Sequence, residues 1–149
     1  MGLEEFKGTE IRSAVMGIIV TITEDIIARA ARCSNSRKFH LGVKNDSPWV
    51  ENINKTLHEG RPSDKTCHML DDYMVLQKLI IQCFMPRDNG TDYKYLDHNL
   101  FLYFLIHYEK ANLPKYMSNY MCWAINESCS IKRRRQVPYA RLLSEIFLS

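Results

Sequence analysis

The sequence predicts a mainly α protein: a single compact domain of about six helices with one or two short strands at the N-terminal end. Three observations carry this prediction. Apolar residues return at three- and four-residue intervals through most of the chain. Helix-start residues stand ahead of those stretches: Thr23, the Ser47-Pro48 pair, and Asn112 with Pro114. A short β-branched run lies near the beginning, over residues 15–22. The 149 residues, 46% hydrophobic and 25% charged, suit one domain spanning 1–149. That balance excludes a disordered tail, a collagen-like repeat and a low-complexity array.

The run Val15-Met16-Gly17-Ile18-Ile19-Val20-Thr21-Ile22 reads as a strand. A helix follows directly, with Thr23 as N-cap, Glu24 and Asp25 suiting the positive end of its dipole, and Ile22 stapling onto Ile27. Ile26, Ile27, Ala30 and Ala31 form its apolar stripe, and Cys33-Ser34-Asn35-Ser36 ends it. Ser47-Pro48-Trp49 starts a second helix, with Val50, Ile53 and Leu57 as its apolar face and Gly60 and Pro62 as its stop. A longer helix is predicted over residues 66–85. Leu70, Tyr73, Met74, Leu76, Ile80, Cys83 and Phe84 make its face, and Pro86 closes it. After a turn-rich loop at Arg87–Asp92, residues Leu96–Tyr108 are apolar on nearly every side, so other helices must surround them. The next helix presents Tyr116, Met117, Tyr120, Met121, Trp123 and Ala124, and a last short one runs from Pro138 through Leu142, Leu143 and Ile146.

The net charge of +3 is a local feature. Residues 1–75 carry 10 basic and 11 acidic side chains, whereas residues 76–149 carry 10 and 6. Four of the latter cations are consecutive: Lys132, Arg133, Arg134 and Arg135. Three readings of this run stay open: a solvated loop, a phosphate or nucleic-acid contact, and a nuclear-import patch. Tyr139 and Arg141 could add stacking and charge beside it, although Tyr139 also suits a packed helix start.

Five cysteines and five histidines are scattered, without C-x-x-C spacing. Cys67-His68 with Cys83 comes nearest to a cluster, and neighbouring side chains do not readily share one metal. No metal site is expected, and the thiols read as free cysteines of an intracellular protein, nuclear or cytoplasmic. The N-terminal residues lack the apolar stretch of a signal peptide, and Phe6 stands where a myristoylation motif needs Ser or Thr. The longest apolar run, Leu100–Ile106, has seven residues, against about 20 for a membrane span.

Catalytic constellations are also missing from the sequence pattern. Asp97-His98 is the one adjacent carboxylate–imidazole pair, and it reads as a helix start because neighbours on a helix point in different directions. Ser128 and Cys129 have no partner base nearby. No phosphate-binding, dinucleotide, nucleophile-elbow or zinc-protease motif occurs. The segment from Ile22 to Arg37 has the outline of half a helix-turn-helix, but the following Ser36–Gly42 is too short to read a groove. No catalytic residue, cofactor or small-molecule substrate is therefore expected.

Several strings resemble plant retrotransposon-derived proteins, called envelope-like proteins in legumes. They are Leu96-Asp97-His98-Asn99-Leu100-Phe101-Leu102-Tyr103, Asn112-Leu113-Pro114-Lys115-Tyr116-Met117 running on to Met121-Cys122-Trp123-Ala124, and Val137–Phe147. Ala30–Asn35 and Ser47-Pro48-Trp49-Val50 are similar too, so the resemblance covers about residues 8–149. It implies a mostly helical domain with a gag-like or envelope-like structural role and no transferable catalytic residues. Members usually have Gly where this chain has Ala140. Relatives continue beyond both ends, which implies a fragment, and a non-functional remnant of a decayed element is one alternative. The other two are a self-associating assembly module, with exposed aromatics and Met-rich helices as its interface, and a nucleic-acid-binding module using residues 132–135.

A salt titration of nucleic-acid binding separates these alternatives. If Lys132–Arg135 contact phosphates, changing all four to alanine lowers the slope of log affinity against log salt by about three to four. An unchanged slope, or no binding at low salt, removes the nucleic-acid reading.

Overall fold

A computed structural model describes residues 10–35, 48–61, 63, 65–86, 96–131 and 138–148. The single strand predicted over Val15–Ile22 is instead divided by a turn at Met16-Gly17, with Val15 ending one strand of a hairpin and Ile18–Ile22 forming the other. Strand β1 (Ile11–Val15) pairs antiparallel with β2 (Ile18–Ile22), in a register that sets Ile11 opposite Ile22 and Val15 opposite Ile18. Met16 and Gly17 join them, both at positive φ (51° and 82°). This is the two-residue turn whose twist matches that of the flanking strands. Arg12 and Ser13 interrupt the apolar pattern of β1, which is why its hydrophobicity is the weaker signal. The base of the hairpin is buried at Ile11 and Ile22, while Met16, Ile18 and Ile19 near the turn are exposed.

The elements divide into two units. The first combines residues up to Arg37 with those from Asn112 onward, and the second is the stretch Lys38–Ala111 between them. In the first unit, helix α1 (Glu24–Ala30) starts as the sequence predicts: the Thr23 side chain accepts a hydrogen bond from the Ile26 amide at 3.4 Å. Its end is tied by the Cys33 amide donating to the Ala28 carbonyl at 2.9 Å, with Arg32 in the left-handed region at φ 52°. That position ordinarily takes glycine. Helix α5 (Leu113–Ile131) and helix α6 (Ala140–Leu148) complete the unit. α1 packs on both. Their common core is Ile11, Ile22, Ile27, Met121 and Ile146, with Ile26, Ala30, Leu142 and Leu143 against it. The adjoining Ile22 and Ile27 are the two residues of the expected staple.

In the second unit, helix α2 (Pro48–Leu57) buries Ile53 and Leu57 as predicted; Trp49's side chain, Ser47 and Pro62 lie outside what is described. The single long helix expected over 66–85 is instead three pieces. A 3-10 turn at Thr66–His68 is followed by a break at Met69-Leu70, then helix α3 (Asp71–Leu79), which continues into a π segment over Ile80–Phe84. The break exists because the Leu70 amide leaves the helix ladder and donates to the Leu57 carbonyl at 3.1 Å, at the end of α2. Helix α4 (Leu96–Ile106) buries His98 through Leu102 and Phe104, and α2, α3 and the π segment pack on it. Phe84 stacks on Phe101, ring centroids 4.7 Å apart. The all-round apolar reading of this helix therefore holds, up to Leu105 and Tyr108, which are exposed. The loop expected at Arg87–Asp92 lies outside the described residues.

Asn112 is the pivot of the first unit. Its Oδ1 accepts from the Lys115 amide at 3.0 Å, capping α5, while its Nδ2 donates to the carbonyl and Oδ1 of Asn35, each at 3.1 Å. Asn112→Ala removes the cap and both links, and we expect a loss of about 1–3 kcal/mol in a urea unfolding curve. A loss below about 0.5 kcal/mol would show that the core alone holds these segments together.

Candidate functional site

The cationic run Lys132–Arg135 lies outside the described residues; α5 is described to Ile131 and the chain again from Pro138. Beside the run, Tyr139 packs edge-on against Tyr120, ring centroids 5.7 Å apart, and lines the apolar core. Its packed reading is the one realised, and a stacking platform would need that ring elsewhere. Arg141 is exposed. Of the helix-turn-helix outline, Ile27 is fully buried and Ile26 and Ala30 pack on the same core, while residues 36–42 lie outside the described set.

Of the adjacent Asp97-His98 pair, the imidazole serves the interior. His98 is fully buried at the start of α4, and its Nε2 donates to the Met85 carbonyl at 3.0 Å, at the exit of the π segment. One residue on, Asn99 Oδ1 accepts from Gln77 Nε2 at 3.3 Å, a buried link between α3 and α4. Gln77 was not on the predicted apolar face, yet it is fully buried, with its Oε1 lacking a hydrogen-bond partner among the described residues. In the first unit, Glu24 and Lys115 form a half-buried ion pair. Close to it, burial pushes the Cys122 thiol up, against the opposing pulls of its Ser118 hydrogen bond and the Lys115 charge. That shift keeps the thiol protonated and unreactive near neutral pH.

One pairing has no signature in the sequence. Ser63 Oγ lies 2.7 Å from His68 Nδ1 and accepts from the Lys65 amide at 3.2 Å. A nucleophile and base at this distance are the first two members of a hydrolytic constellation. Among the described residues no carboxylate bonds to His68, and the Lys65 amide donates to Ser63 Oγ itself. The pair is exposed and shapes the turn entering Thr66–His68. Five-residue spacing across a 3-10 turn has no periodic signature, so no sequence pattern would have found it. Among the described residues no three His, Cys, Asp or Glu side chains gather to hold a metal, and Cys67 and Cys83 are both exposed.

The feature that remains is a surface. Helix α3 has two faces: Gln77, with Ile80 and Ile81 of the segment that continues it, turns inward, while Val75, Leu76 and Leu79 turn outward at 59%, 43% and 50% exposure. Successive residues on a helix are 100° apart, so these three and Asp72 lie on one strip. Leu76 and Cys83 were predicted to face the core and are exposed instead. The inward face uses Gln77 in their place, anchored by its bond to Asn99. Of the expected interface material, Tyr108 is exposed, whereas three of the methionines are not. Met69, Met85 and Met121 are buried and fill core gaps, as flexible thioethers do. The aliphatic residues of α3 are exposed instead, as are Met16, Ile18 and Ile19 at the hairpin turn and Leu105 and Tyr108 at the end of α4.

Comparison with known protein families, with characterised proteins and with solved structures finds no match for this chain. No helix among the described residues is long and apolar enough to cross a membrane.

The buried amide pair gives a direct test. Gln77→Leu strands Asn99 Oδ1 in the interior and should cost about 1–3 kcal/mol, whereas Gln77→Leu with Asn99→Leu recovers most of it. Urea midpoints of the two variants and the parent measure the coupling.

Proposed function

We propose that this chain is a non-enzymatic structural or assembly module, gag-like or envelope-like in the retrotransposon sense, that works by self-association in the nucleus or cytoplasm. The retroelement origin rests on the strings over residues 96–103, 112–124 and 137–147. The assembly role is carried by one observation, the exposed strip Val75, Leu76 and Leu79 on a helix whose other face is already in the core. Clustered aliphatic exposure of this kind marks interaction surfaces, whereas single exposed apolar residues are ordinary. Three aliphatic side chains place the contact at the small end of interface sizes, so each contact is weak and many copies act together.

Light scattering behind size exclusion tests the reading. The average mass should rise with loading between about 10 and 500 µM, the range where small interfaces assemble. Leu79→Asp should weaken association by about tenfold or more, because it removes a buried leucine and adds a charge. Its far-UV circular dichroism should match the parent, since Leu79 is half exposed. A parent chain that stays monomeric throughout sinks the proposal.

A further inference from the structure

We infer that α3 packs antiparallel on α3 of a second copy of this chain, about a two-fold axis near Val75. The inference rests on the assembly reading above and adds the geometry. Charge along the helix is what selects the partner and its direction. The N-terminal end of the strip carries Asp71 and Asp72, both exposed, and the C-terminal end carries Lys78 beside Leu79. Among the described residues none of these three charges has an ion-pair partner, in contrast to Lys55 with Glu51 and Lys115 with Glu24.

A second α3 laid parallel would bring Asp71 and Asp72 against their own copies, which is repulsive. Turned antiparallel, each acidic end lies beside the Lys78 end of the other helix, and the two helix dipoles also oppose. The surface is then complementary to itself, as an isologous contact requires. Asp71 and Lys78 are seven residues apart, two turns, and therefore on the same flank of the strip. A two-fold axis perpendicular to paired helices sets like flanks together, so Asp71 of one copy approaches Lys78 of the other twice over. Between the two charge pairs lie Val75, Leu76 and Leu79 from each copy.

Cysteine cross-linking reads the orientation separately from association. In a Cys67→Ser/Cys83→Ser background, Val75→Cys should form a covalent dimer on mild oxidation, because the axis brings the two positions within disulfide reach. Gln82→Cys should not, since an antiparallel pair sets its two copies about 21 Å apart along the helices. The charge arm uses the otherwise unmodified chain: Lys78→Glu should raise the dimer dissociation constant about tenfold, and Asp71→Lys/Asp72→Lys/Lys78→Glu should restore it. Cross-linking at Gln82→Cys, or a dimer indifferent to both charge variants, overturns this inference while leaving self-association standing. A parent that never dimerises overturns the assembly reading instead.

Discussion

The first unit closes only because two distant stretches of chain are held together, and Asn112 is where the holding is done. It bonds Asn35, 77 residues earlier, and caps α5 with the same amide group. Asn35 in turn donates to Asp25 at 2.8 Å, so the first turn of α1, the segment that follows the helix and the start of α5 form one chain of hydrogen bonds. Closing a loop of this length costs about 4 kcal/mol in chain entropy. Hydrogen bonds alone do not cover that cost. The burial of Ile27, Met121 and Ile146 in one cluster contributes about 1.5–3 kcal/mol per side chain and does. The polar bonds fix which parts of the two stretches meet, and the apolar cluster makes the meeting favourable.

The second unit answers a different constraint. A helix as apolar as α4 has no solvent face to give it a direction, so hydrophobicity alone does not fix its rotation. His98 and Asn99 supply that information from its first turn. Buried polar groups need particular partners, and theirs are the Met85 carbonyl and the Gln77 amide. The π segment at Ile80–Phe84 belongs to the same arrangement. Its wider turn carries the chain on to Met85, whose side chain is buried and whose carbonyl meets His98. Polar residues that weaken the hydrophobic signal in the sequence are thus the ones that orient the core.

These arrangements show what a single sequence makes legible. Capping and periodicity placed α1, α2, α4, α5 and α6, because Thr23, Pro48 and Asn112 act locally and Ile53, Leu57 and Met121 repeat at helical spacing. The break at Leu70 and the π segment were not legible, since each depends on a partner distant in sequence: Leu57 for one, His98 for the other. The candidate surface was half legible. Residues 70–84 are apolar around much of the helix circumference, and the period could be fitted with Leu76 inside only by leaving Gln77 outside. The structure takes the opposite choice. A helix with apolar residues on both sides, too polar at its ends to be wholly buried, is the signal that could have revealed the strip.

That choice bears on why the strip persists as a surface. Moving Leu76 inward would require rotating α3 by about 100°, which would take Gln77 away from Asn99 and leave both amides unpaired in the interior. The cost of two stranded buried amides is about 1–3 kcal/mol each, comparable to what burying one leucine returns. The internal polar link therefore holds the aliphatic strip outward. A chain under selection only for its own stability could remove the conflict by replacing Val75, Leu76 and Leu79 with polar residues, since exposed helix positions tolerate such changes within about 0.5 kcal/mol. On the proposed assembly reading, these three aliphatic side chains lie between acidic and basic ends that have no ion-pair partner among the described residues, and they form the contact with another copy.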